Sequence, residues 1–115
     1  MAKSEGLMFD LTESDLQNLQ AAVNELGGFA GPEISGSLAA MGSDPAGLRT
    51  FVVGLAGPES LLAAPRETLL GLFLLNGLVC AALGDEELGT ITGADRDSHF
   101  LTARRLYHIL TARPD

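Results

Sequence analysis

Along this chain apolar residues recur at three- and four-residue spacing, the period of one helix face, and no stretch alternates for long between apolar and polar positions. The clearest start is Thr12, an N-cap residue answered three positions on by Asp15, with Leu11 and Leu16 placed as a hydrophobic staple across it. Leu16, Leu19, Val23 and Leu26 then form one stripe, while Glu13, Gln17, Asn18, Gln20, Asn24 and Glu25 fill the opposite face. Gly27-Gly28 stops this first helix. Residues 1–10 read as an unstructured lead-in, and 11–113 as a single helical domain.

Between 29 and 64 the elements are shorter. Pro32 suits the first turn of a helix carrying Ile34, Leu38 and Met41, which ends at Gly42. Asp44-Pro45 is an N-cap followed by an N1 proline, and Leu48, Phe51, Val52 and Leu55 give the next helix its apolar face before Gly57-Pro58. One more turn fits 59–64. Pro65 then opens a helix running to Leu83, with Gly84 as its stop, and from Leu69 to Leu83 only Asn76 and Cys80 interrupt leucine, phenylalanine, valine, alanine and glycine. A helix apolar all round is either a core helix or a membrane span. Fifteen such residues rise about 22 Å, short of the roughly 30 Å of a bilayer's hydrocarbon, and Asp85-Glu86-Glu87 blocks any extension. The pattern therefore predicts a buried rod.

Downstream, Asp85 can cap a short turn over 86–90, and Leu88-Gly89-Thr90-Ile91-Thr92 is the best strand candidate in the chain, though a short one. Thr92 with Asp95 repeats the cap signature, predicting a final helix from about Gly93 to Ala112. Its inward face is expected to carry Phe100, Leu101, Ala103, Leu106, Tyr107, Ile109 and Leu110, with Arg104, Arg105, His108 and Thr111 outward. Arg113 complements the helix dipole and Pro114 marks the end. The fold class that follows is all-α: a compact irregular or orthogonal bundle of five to six helices around the helix over 65–83.

Composition sharpens this picture in two ways. Hydrophobic residues make up 46% of the 115 positions and charged ones 19%, and the mean hydropathy is +0.23. A domain this small has much surface for its volume and should need more polar residues, so part of its apolar surface is expected to be covered by a partner or a second copy. Fifteen acidic against seven basic side chains give a net charge of −8, which repels nucleic-acid backbones and anionic membranes and leaves a basic protein as a compatible partner. The acidity lies mainly before Pro65, with eight acids against two bases. Cys80 is the sole cysteine, so no internal disulfide or multi-cysteine metal site can form. The N-terminus lacks the apolar core of a signal peptide, pointing to a reducing cytoplasm.

Candidate chemistry is sparse. His99 and His108 stand nine residues apart on one predicted helix, half a turn out of register, and so point to opposite sides as helix-surface histidines. Asp85, Glu86, Glu87, Asp95 and Asp97 form the densest charge group, read as helix-start carboxylates or as a protein-docking edge. Asp95-x-Asp97 does not continue as a calcium loop, because His99 and Phe100 occupy the next ligand and glycine positions. Gly77, Ala81 and Gly84 could form a small-residue groove that another helix enters. Asn76, in the apolar run, needs a partner for its amide: a loop carbonyl, a neighbouring helix whose register it fixes, or a small ligand. Cys80, one turn on, lacks an activating base and reads as an inert buried thiol. No nucleophile–base pair, metal set or phosphate loop can be assembled, so neither a cofactor nor enzymatic activity is expected. The leading expectation is a cytoplasmic, non-enzymatic interaction module of the inhibitor, immunity or adaptor kind. Its alternatives are a self-assembling scaffold subunit and a small-molecule-binding helical domain.

Overall fold

A computed structural model of the chain describes residues 11–28 and 30–112. Among these residues there is no strand, and the elements are α1 (Glu13–Glu25), α2 (Gly31–Ala40), α3 (Pro45–Val53), a 3₁₀ segment (Pro58–Ala63), α4 (Arg66–Ala82), α5 (Asp85–Thr92) and α6 (Arg96–Ala112). The fold is an all-helical compact bundle. The lead-in over 1–10, and Arg113 and Pro114, lie outside the described residues.

Helix α1 begins as its sequence dictates. Thr12 is extended (φ −105°, ψ 170°), its hydroxyl accepts the Asp15 amide at 3.2 Å, and the Asp15 carboxylate accepts the Thr12 amide at 2.9 Å. Leu11 and Leu16 are both buried across the cap. Gly31 opens α2 against the end of α1 so closely that a Cβ there would stand 2.2 Å from the Leu26 carbonyl oxygen. Only glycine fits that junction. From α2 and α3 the core receives Ile34, Leu38, Leu48 and Val52, and from the 3₁₀ segment Leu61. Met41 caps α2 and is half exposed instead of completing its stripe.

The central helix is α4, with Pro65 and Leu83 flanking it. Leu69, Leu72, Leu75 and Val79 are fully enclosed, and burying each such side chain is worth about 1.5–3 kcal/mol. The rod is not sheltered all round, however. Leu70, Gly77 and Ala81 are exposed and Phe73, Leu74 and Leu78 half-buried, so one side of α4 faces outward.

Two sequence expectations fail between 85 and 96. The strand candidate over 88–92 is helical, part of α5, because Glu87 accepts the Gly84 amide at 3.1 Å at its start and Leu88 is drawn wholly into the core. The final helix starts at Arg96 and not at Gly93. Gly93 takes a left-handed conformation (φ 77°) that ends α5, and Asp95, not Thr92, accepts the Ser98 amide at 2.9 Å as the cap of α6.

Helices α4 and α6 run antiparallel, and three polar clamps set their register. The Arg66 guanidinium, at the start of α4, donates to the Leu110 carbonyl near the end of α6. Arg96, at the start of α6, donates to the Cys80 and Leu83 carbonyls at the end of α4, at 2.6 and 2.8 Å. Each arginine stands at the unfavourable end of its own helix dipole and at the favourable end of its neighbour's. Between them, Asn76 of α4 grips His99 of α6.

Candidate interaction surface

The inward side of α6 carries a polar line. His99 and Thr102 have no solvent exposure. The Asn76 amide donates to the His99 carbonyl at 2.9 Å, while its oxygen meets His99 Nδ1 at 3.0 Å. Since that oxygen can only accept, Nδ1 carries the proton, while Nε2 lies 2.9 Å from the Thr92 hydroxyl. Burial pushes the imidazole below its ordinary range; Asp95 raises it and Arg96 lowers it further. His99 thus joins α4, α5 and α6, a correction to its reading as a surface residue. His108, on the opposite side of the helix, is half-buried.

A second chain of hydrogen bonds joins α1 to α6. Asn18 donates to the Thr102 hydroxyl at 3.0 Å, and that hydroxyl donates to Asp15 at 2.6 Å. Arg105 meets both Asp15 oxygens at 2.8 and 3.0 Å. Asp15 is 1% exposed and Arg105 29%. The carboxylate that caps α1 therefore also anchors α6, and Arg105 turns inward to pair with it. Sequence spacing alone could not have matched residues 87 and 90 positions apart. The signal that was available is Asn18, an amide one residue from the core position Leu19.

With these polar groups on the inner line, apolar side chains are displaced outward. Phe100 is 57% exposed, Leu101 48% and Tyr107 53%, although all three were expected to face the core. Phe100, Ala103 and Tyr107 lie on one line of α6 at i, i+3 and i+7. The Tyr107 ring meets Phe73 of α4 with centroids 6.4 Å apart. Leu70, Phe73, Gly77 and Ala81 continue this strip along the open side of α4. Of the small-residue groove, a Cβ on Gly77 would meet nothing within 4 Å, and one on Gly84 only the Glu87 carboxylate at 3.5 Å. Within the described residues no helix enters that groove.

The acidic group is divided by its local duties. Asp85 pairs with Arg96 at 2.5 Å while remaining largely in solvent. Glu87 and Asp95 cap α5 and α6. Glu86 and Asp97 are exposed and make no hydrogen bond or ion pair among the described residues. No group of three or more histidine, cysteine or carboxylate side chains among the described residues could hold a metal. Asn76 has both amide atoms committed to His99, which makes it a helix-to-helix clamp. Cys80 is buried, and that burial raises its thiol above the ordinary value while Arg96 lowers it. No described helix is long and apolar enough to cross a membrane. No protein-family model, no curated protein and no solved structure matches this chain.

Proposed function

We propose that this chain is a non-enzymatic interaction domain that docks a partner protein on the outer side of the α4–α6 pair and modulates it, as an inhibitor, immunity protein or adaptor does. One observation carries the reading: Leu70, Phe100 and Tyr107 are 44%, 57% and 53% exposed along one strip. A contiguous strip of large apolar side chains is costly in water and is the usual mark of a contact surface, with aromatic residues as anchors. Gly77 and Ala81 let a partner backbone approach closely, which suits an amphipathic helix laid along the strip. The net charge of −8 and the exposed carboxylates of Glu86 and Asp97 favour a basic partner.

Gly77→Arg tests this directly, since open space surrounds the position and glycine is the poorer helix former. The expected outcome is that a basic protein retained by the wild type is lost with Gly77→Arg and weakened by about 0.5 M salt. Retention unchanged in both cases would sink the reading.

The same strip supports self-assembly as a second reading, because small residues at its centre allow two copies of α4 to meet face to face. Light scattering behind size exclusion separates the two. A strict monomer at high concentration removes the second reading, and a dimer that Gly77→Arg dissociates favours it.

A further inference from the structure

We infer that the cleft between α1 and α5 is a recognition site for a guanidinium group. It encloses about 450 Å³ and is lined by Gln17, Gln20, Asn24, Glu25 and Gly28 on one side and by α5 residues including Ile91 on the other. No lysine, arginine or histidine lines it, so an anion would meet no counter-charge there. Gln17, Gln20 and Asn24 share one line of α1, at i, i+3 and i+7, and bring three carboxamides, each with an oxygen able to accept, to the cleft wall. At its end stands Glu25, 5% exposed, with Oε2 fully enclosed and without a hydrogen-bond partner.

That carboxylate is poorly placed for the fold alone. It belongs to the last residue of α1, where the helix dipole is already negative. It makes no ion pair among the described residues. Its head lies over Gly28, where a Cβ would come within 1.9 Å of Oε1 and 3.1 Å of Oε2, so the glycine leaves room for it. Burying an ionised carboxylate without a donor costs free energy that a cation entering the cleft would return.

A guanidinium fits this lining better than an ammonium. Its planar fork carries several donors that can be shared between the Glu25 carboxylate and the carboxamide oxygens of the wall, and its weaker hydration lowers the cost of entry. Ile91, 49% exposed, supplies an apolar wall for the attached methylene stem. The group can come from a free small molecule or from an arginine side chain of a polypeptide. The inference does not rest on docking at the α4–α6 strip, which is a separate surface.

The test is a titration of the isotope-labelled 115-residue chain with agmatine, followed through the side-chain amide signals of Gln17, Gln20 and Asn24. Butylamine serves as the ammonium control and the peptide Gly-Arg-Gly as the polypeptide arm. Saturable shifts at these amides are expected, with a dissociation constant of roughly 1 mM for so small a probe. Binding should weaken at least about tenfold for Glu25→Gln and for butylamine. If Glu25→Gln does not fold, Gln20→Ala gives the same comparison from the cleft wall. Tighter binding of the peptide than of agmatine assigns the site to a polypeptide side chain, and equal binding to a free guanidine. Absence of saturable shifts up to about 50 mM agmatine, equal binding by Glu25→Gln and wild type, or shifts confined to α6 would each overturn the inference.

Discussion

The inner and outer sides of α6 invert the usual relation between polarity and burial. Leu106 and Tyr107 are adjacent in sequence and both apolar, yet Leu106 is fully enclosed and Tyr107 is 53% exposed. On the inner line, His99 and Thr102 occupy positions that aliphatic residues would fill in a simpler bundle. On the outer line, Phe100 and Tyr107 stand where solvated residues are expected. His99 and Thr102 on this line are each matched to named partners on α1, α4 or α5. A leucine-only seam could slide by one turn, whereas Asn76 against His99 and Asp15 against Arg105 each allow a single pairing. Fixing register this way uses inward positions, and the displaced apolar residues become the open strip.

The sharpest way to break the contrast is to truncate the two neighbours separately. Leu106→Ala removes an enclosed side chain and should lower stability by about 2–5 kcal/mol. Tyr107→Ala, which loses mainly the ring contact with Phe73, should cost about 1 kcal/mol or less. Urea unfolding of both variants measures the difference, and equal losses would mean that the two sides of α6 are not distinct.

Asp15 ranks next. It receives the Thr12 amide, the Thr102 hydroxyl and the Arg105 guanidinium, and its replacement by alanine strands all three donors. A loss of about 3 kcal/mol is expected. Arg105→Ala should cost less, about 1–2 kcal/mol. The carboxylate it abandons keeps two other donors, and the arginine is 29% exposed. A larger loss for Arg105→Ala than for Asp15→Ala would show that the ion pair, and not the hydrogen-bonded carboxylate, anchors α6.

His99 gives a smaller and pH-dependent effect. Its imidazole is lowered by burial, so the unfolded chain takes up a proton first as pH falls. The stability tied to the neutral ring is therefore complete above the unfolded value of about 6.5 and is lost as pH drops below it. The slope from this residue can reach, but not exceed, about 1.4 kcal/mol per pH unit. Urea midpoints at neutral and mildly acidic pH, compared between wild type and His99→Asn, isolate it. A wild-type slope equal to that of the variant in this window would show that the ring takes up its proton equally in the folded and unfolded states.

How much of this was legible depends on whether the determining contacts are local. The cap at Thr12 and Asp15, the proline starts and the bounds of α4 follow from residues within one turn of each other, and they stand where the sequence places them. The phase of α6 does not. Phe100, Leu101 and Tyr107 have the apolar character of a core stripe, and the residues that turn them outward are Asp15, Asn18 and Asn76, on other helices. The start of α6 differs from the sequence pattern for a related reason: Thr92 has the side chain of a cap, but its hydroxyl sits 2.6 Å from the Leu88 carbonyl and 2.9 Å from His99 Nε2, away from the start of α6. In the acidic group a place at helix starts is readable from position, but the caps are Glu87 and Asp95 and not Asp85 and Thr92. The pairing of Asp85 with Arg96 is not readable in this way, because it depends on how α5 turns back toward α6.

The smallest effect on stability should come from the outer strip, and that is what makes it informative. Replacing Phe100 and Tyr107 together by serine removes two rings that are each more than half in solvent. Neither change leaves a buried polar atom unpaired or a sizeable cavity, so unfolding should shift by about 1 kcal/mol or less. Any partner contact that uses the strip should weaken far more, because rings of this kind contribute about 2 kcal/mol or more each when a partner encloses them. The diagnostic quantity is therefore a ratio: a large loss of association for a small loss of stability. A double variant that unfolds readily would show that the strip is an extension of the core, and one that associates as wild type does would show that the contact lies elsewhere on the molecule.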